Sequence, residues 1–174
     1  KNNIAIIHAK QGQHLVALQM WQDVLSIREK TLGRAHLLVA DTQNNIAVVL
    51  DNQGKCQEAL EMHSKVLTTR EKVLGPDHLE TASTYNNIGT VYAKQGKLAE
   101  ATAVFEKSLE IKIRVLGHEH LDTAKTQNNI AIVLKQQQKY DQALAMHDKC
   151  LQTKIKVLGP DHLVVACCCW QAMC

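Results

Sequence analysis

Proline and glycine are scarce in this chain of 174 residues, at two and eight respectively. That excludes collagen-like and flexible-linker compositions. Aromatic residues make up 3%, too few for the stacking platforms on which single-stranded nucleic acids lie. Neither sign of charge is in large excess, since 20 Lys and Arg face 17 Asp and Glu for a formal net charge of +3. A nucleic-acid partner is therefore not expected. No apolar run approaches the ~18 residues needed to cross a bilayer. No glycosylation sequon occurs and no signal peptide opens the chain, although Lys1 leaves room for an upstream segment cut away. Six cysteines stand at 56, 150, 167, 168, 169 and 174, without the paired spacings of a zinc site or a disulfide framework. A reducing, cytoplasmic setting is expected. What remains is 45% hydrophobic, enough for a folded chain.

The hydrophobic residues are arranged periodically. Asn-Asn-Ile recurs at 2–4, 44–46, 86–88 and 128–130, a spacing of 42 residues each time. Leu-Gly keeps the same register at 32–33, 74–75, 116–117 and 158–159, and a histidine follows at 36, 78, 120 and 162. Residues 44–85 and 128–169 share 24 of 42 identities. The units run 1–43 with a shortened first helix, then 44–85, 86–127 and 128–166. Residues 167–174 are expected to begin a fifth first helix, as in a piece excised from a longer array.

Each unit predicts two helices. In the third, Tyr85, Ile88, Gly89 and Tyr92 are spaced by three and four, one face of a helix beginning near Leu79. Gln95-Gly96 ends it, glycine supplying a left-handed residue. A second helix is expected over 98–116, ~28 Å long at 1.5 Å per residue, with Ala101, Phe105, Leu109 and Ile113 on one stripe. Strand signals are lacking. The expected fold is all-α, a right-handed superhelical solenoid of antiparallel helix hairpins whose neighbours bury one another's apolar faces.

These residues resemble the tetratricopeptide repeat, in particular its 42-residue kinesin light chain type. Tyr85, Ile88, Gly89, Tyr92, Ala101 and Phe105 occupy the family's signature slots, and Val73-Leu74-Gly75-Pro76-Asp77-His78 resembles its inter-repeat text. The resemblance implies a non-catalytic scaffold that binds cargo or adaptor peptides in a concave groove. Two departures stand out. All four units have His-Leu where the subfamily often has His-Pro, and the fourth has Gln137-Gln138 in place of Gln-Gly.

Count each unit from four residues before its first Asn. At about 100° per residue, places four, seven, eight and eleven form the apolar stripe, and the sixth lies roughly opposite. The sixth place is Asn3, Asn45, Asn87 and Asn129, flanked on its stripe by Ile6, Val48, Thr90 and Ile132 and by Lys10, Asn52, Lys94 and Gln136. Such a stripe is expected on the concave face. An asparagine amide can pair with a backbone N–H and C=O together. With helices ~8–10 Å apart and an extended chain advancing ~3.3 Å per residue, one Asn per unit meets roughly every third peptide residue. The resemblance implies peptide binding at Asn3, Asn45, Asn87 and Asn129. Lys10, Lys94 and Lys135 would favour acidic side chains, and Val48 and Ile132 would supply an apolar floor.

The first Asn of each pair (2, 44, 86, 128) is expected to fix the stacking of units instead. The recurring histidines sit on successive units, too far apart to share a metal ion with ~2 Å bonds, and are assigned to the starts of the first helices. His63 and His147 take the slot of Trp21 and Phe105 and are read as packing residues. No metal site, cofactor or catalytic centre is expected, since nucleophile elbow, P-loop, dinucleotide and zincin motifs are all absent. Scattered Asp, Glu, Lys and Arg read as solvated faces. Two other roles fit the same sequence: a structural spacer self-associating end to end through uncapped ends, and the sensor portion of a larger signalling protein.

Overall fold

In a computed structural model the described residues are 2–160 and 162, without the side chains of Asn2 and Lys10. They form α1 (Asn2–Lys10), α2 (His14–Leu32), α3 (Leu37–Asn52), α4 (Cys56–Leu74), α5 (Leu79–Lys94), α6 (Leu98–Leu116), α7 (Leu121–Gln136) and α8 (Tyr140–Leu158). There is no strand among the described residues, and the fold is an all-α repeat solenoid. The second helix of the third unit spans the 98–116 that the periodicity predicts. The expected fifth helix at 167–174, with four of the six cysteines, lies outside the described residues. Units counted from the first asparagine begin inside a helix, because 44, 86 and 128 fall within α3, α5 and α7.

The chain divides after Val91 into two compact units. In the first, Ala5, Ala17, Trp21, Ile46, Val49 and Ala59 form a continuous core. The second is built around Phe105, with Ala101, Ile130, Val133, Leu134 and Ala143. Alanine at 17, 59, 101 and 143 is buried in every hairpin. A side chain that small lets packed helices approach closely, and a larger one there would overpack the contact.

His63 occupies the slot that holds Trp21 in one hairpin and Phe105 in another, and it is 1% exposed. Burial pushes its imidazole down to about 4; the carboxylate of Asp51 opposes the shift and the Arg70 guanidinium adds to it. The ring is thus a neutral core group at ordinary pH.

Three of the first helices, α3, α5 and α7, open on a histidine. His36, His78 and His120 accept through Nδ1 the backbone N–H two residues ahead, from Leu38, Glu80 and Asp122, at 3.1 Å each. An imidazole nitrogen here does the work usually given to a Ser or Asp cap, satisfying one of the first turn's unpaired donors. Helix hairpins turn on a left-handed residue. Gly96 (φ 74°) donates from its backbone N–H to Ala93 at 3.1 Å, and Lys97 donates to Tyr92 at 3.0 Å. In the fourth hairpin Gln138 takes the same conformation at φ 62°, with matching bonds from Gln138 to Lys135 at 3.0 Å and from Lys139 to Leu134 at 2.9 Å. The turn survives without its glycine.

Candidate functional site

On the first helices, places four, seven, eight and eleven are buried in the second unit as Gln43, Ile46, Ala47 and Leu50, and in the fourth as Gln127, Ile130, Ala131 and Leu134. The asparagines of the sixth place lie away from that stripe. Asn3 is exposed, and Asn45, Asn87 and Asn129 are half-buried. Beside them Val48 and Ile132 are 38% and 41% exposed, large apolar side chains in water. Thr90 is half-buried and its hydroxyl donates to the Asn86 carbonyl at 3.1 Å. Asn52, Lys94 and Lys135 are exposed; the Lys10 side chain lies outside the described residues.

The two asparagines of successive repeats meet. Asn87 Nδ2 donates to Asn44 Oδ1 at 3.0 Å, linking the second Asn of one repeat to the first Asn of the repeat before it. Asn44 and Asn45 both line a cavity of about 510 Å³ with Asp41, Arg70, His78 and Glu80. Asn45 therefore stands at an opening with charged walls, while one N–H of Asn87 is engaged in stacking.

Arg70 is the buried cation of that cavity, 4% exposed. Its Nη1 donates to the Glu80 carbonyl at 2.9 Å and to Thr84 Oγ1 at 3.0 Å, and its Nη2 reaches Asp41 Oδ1 at 2.8 Å and Glu80 Oε2 at 2.9 Å. The same arrangement recurs in register. Arg28 Nη1 donates to the Leu38 carbonyl at 2.8 Å and to Thr42 Oγ1 at 2.7 Å. Lys112 Nζ lies 2.8 Å from Thr126 Oγ1 and 3.5 Å from the Asp122 carbonyl. In each case the threonine hydroxyl itself donates to that same carbonyl, at 2.9, 3.0 and 3.2 Å. A cation on each of these second helices thus holds the first turn of the next first helix.

Burying a cation is costly, and occupied donors offset that cost; at Arg70 both Nη groups are engaged, while Nε is buried without a hydrogen-bond partner among the described residues. Lys112 is 7% exposed, and burial holds its ammonium below the usual lysine range; Asp122 opposes that shift and Lys125 adds to it. The sequence reading of charged residues as solvated faces is therefore corrected at Arg70, Lys112 and Lys154, all buried. The signal was present, since 28, 70, 112 and 154 share the 42-residue spacing, with Thr42, Thr84 and Thr126 in step. A charged residue that recurs in register like a core residue should be read as one.

Among the described residues no group of three His, Cys, Asp or Glu side chains is placed to hold a metal ion. No described helix is long and apolar enough to cross a membrane.

The sequence profile of the tetratricopeptide repeat matches four overlapping stretches, residues 1–72, 39–114, 80–154 and 122–168. No curated protein matches the chain. Among solved structures, a putative kinesin light chain of Podosopora anserina with nearly identical TPR-like repeats superposes with a TM-score of 0.82 at 21% identity, covering 98% of this chain and 81% of that one. A variant of that same protein gives 0.83 with the same identity and coverage. BtubC (BKLC) from P. vanneervenii gives 0.80 at 18% identity, over 97% of this chain and 71% of that one. At such identities the likeness is one of fold.

Proposed function

The chain belongs to the tetratricopeptide repeat family, and from that premise we propose that it is a non-catalytic scaffold binding an extended segment of a partner protein along its asparagine stripe, as a kinesin light chain-like cargo or adaptor reader. The observation that carries this reading is the placement of Asn45. It is half-buried, opposite the core stripe, and lines a cavity whose other polar walls are Asn44, Asp41, Arg70, His78 and Glu80. An amide so placed offers a donor and an acceptor to a peptide backbone. Asn87 engages one N–H with Asn44, which leaves its amide oxygen to face a peptide N–H. Asn3 and Asn129 hold the same place in their own repeats. Val48 and Ile132 supply apolar contact, Thr90 a hydroxyl and Asn52 a further amide. Lys10, Lys94 and Lys135 favour a partner with acidic residues, and binding to them is screened by salt over ~8 Å at physiological ionic strength. The free thiol of Cys56 accords with a cytoplasmic setting.

The test is a lysate pull-down comparing the native chain with Asn45→Leu, read by mass spectrometry. Partners lost only from the variant, with helicity and melting unchanged, are the expected result. An unchanged partner list with a folded variant would move recognition off the stripe. The Asn87–Asn44 bond favours a second reading, a structural spacer whose asparagines lock the stack. Under that reading Asn87→Leu destabilises the protein, Asn45→Leu does nothing, and association depends on concentration.

A further inference from the structure

We infer that the joints between successive hairpins are pH-sensitive: a proton on the histidine that opens α3, α5 or α7 releases the first turn of that helix. Each such joint loosens in mild acid while its hairpins stay folded. The inference is independent of peptide binding on the asparagine stripe. It starts from one residue at each joint that is held on both sides. The backbone N–H of Leu38, Glu80 and Asp122 donates to Nδ1 of His36, His78 and His120, at 3.1 Å each. The carbonyl of that same residue accepts from the cation of the preceding second helix, from Arg28 at 2.8 Å, Arg70 at 2.9 Å and Lys112 at 3.5 Å. One residue is thus clamped between an imidazole and a cation at each of these joints.

The two halves of the clamp answer differently to acid. An imidazole accepts through Nδ1 only while that nitrogen is bare, with the ring proton on Nε2. A second proton has to go to Nδ1, and it ends the bond. Histidine is the side chain whose charge ordinarily changes between pH 5 and 8. The capped turn takes up no proton and the released turn takes one, so falling pH favours release. A protonated ring would also place a cation at a helix N-terminus, where the macrodipole disfavours it. All three rings are exposed, so a released ring turns into water. The arginine half of the clamp does not titrate. At α5 and α7 Thr81 and Thr123 add a further tie, donating to the Gly75 and Gly117 carbonyls at 2.9 Å. The hairpins therefore stay joined when the caps are lost.

Charges of both signs surround each ring. His36 follows Arg28 and Glu29 of α2 and Arg34 of the connection. His78 shares its cavity with Asp41 of α3, Arg70 of α4 and Glu80 of α5, and Asp77 precedes it. His120 acts on the Asp122 carboxylate together with Lys125 and Lys112, and it follows His118 and Glu119, the latter bound to Lys156 of α8. These neighbours oppose one another, and loss of the Nδ1 acceptor decides the direction.

The experiment follows backbone amide exchange in the full chain by NMR, as protection relative to an unfolded chain, at about pH 7.5 and about pH 5.5. Protection of the Leu38, Glu80 and Asp122 amides should fall about two- to tenfold at the lower pH, the worth of one hydrogen bond. A chain carrying His36→Asn, His78→Asn and His120→Asn keeps a side-chain oxygen as cap and has no proton to take up, so these amides should lose their pH dependence. The imidazole nitrogen signals of the native chain give an independent reading: at the higher pH each of the three rings carries its proton on Nε2. Unchanged protection in the native chain, an equal fall in the Asn variant, a general loss of helicity at the lower pH, or rings protonated on Nδ1 at the higher pH would each overturn the proposal.

Discussion

Gln138 holds a backbone conformation that L-residues with a side chain rarely adopt, and replacing it tests how the hairpin turns are made. At φ 62° its Cβ crowds the following carbonyl, a penalty of roughly 1–2 kcal/mol. Glycine removes that penalty but adds unfolded-state freedom worth roughly 0.5–1 kcal/mol. Gln138→Gly should therefore stabilise the fourth hairpin by about 0.5–1 kcal/mol, the difference of those two. The reciprocal change isolates the cause. A Cβ at Gly96, at φ 74°, would meet nothing within 4 Å, so Gly96→Gln loses stability through backbone strain alone and by a similar amount. Thermal melting followed by far-ultraviolet circular dichroism reads both, at about 2–4 °C per kcal/mol for a chain of this length. Hydrogen exchange at Gln138 and Lys139 shows whether the gain sits in the turn. The side chain of Gln137 is a separate contact, its Nε2 donating to the Leu98 carbonyl at 3.0 Å and to Thr102 Oγ1 at 3.2 Å, and should persist in both variants. If Gln138→Gly lowers the melting temperature, or Gly96→Gln raises it, the left-handed strain is not what limits these turns.

Three other perturbations have worked expectations. His63 has a folded-state pKa of about 4 against 6.5 for the free side chain, so the unfolded chain takes up its proton first as pH falls; stability should decline from pH 6.5 towards pH 4 and level off below, by about 3 kcal/mol at ~1.4 kcal/mol per unit. His63→Phe, borrowing the residue that fills the slot at 105, should flatten that part of the pH–stability curve in denaturant titrations. Arg70→Lys should keep the bond to Thr84, as Lys112 does with Thr126, and lose Asp41 and Glu80 at about 1 kcal/mol, whereas Arg70→Ala should cost about 3 kcal/mol in urea unfolding. Asn87→Leu should cost about 0.5–1.5 kcal/mol through loss of the bond to Asn44, with Asn45→Leu near neutral in the same assay.

Much of this architecture is legible because a 42-residue period repeats its own evidence. Leu98 to Leu116 can be bounded from the sequence since Gly96 and Gly117 flank a single stripe of apolar residues. What escapes has other causes. A helical wheel treats one helix alone, so it separates the two asparagines of a pair into different roles; the bond between Asn87 and Asn44 joins one of each across neighbouring repeats. Arg70 and Lys112 escape because a charge is expected in water, and the threonine hydroxyl and first-turn carbonyl waiting 14 and 10 residues ahead, joined at Arg70 by the carboxylates of Asp41 and Glu80, offset their burial.

The cation and the threonine and carbonyl it grips on the next first helix belong to one uninterrupted stretch of chain, from Arg28 to Thr42, from Arg70 to Thr84 and from Lys112 to Thr126. Each joint is therefore written within a span shorter than the repeat itself. A gene duplication that copies 42 residues copies the hinge along with the hairpin, whatever the point at which the copy begins. Arrays built this way can lengthen or shorten by whole repeats without inventing a new junction, and selection is left free to vary the exposed face of each added hairpin.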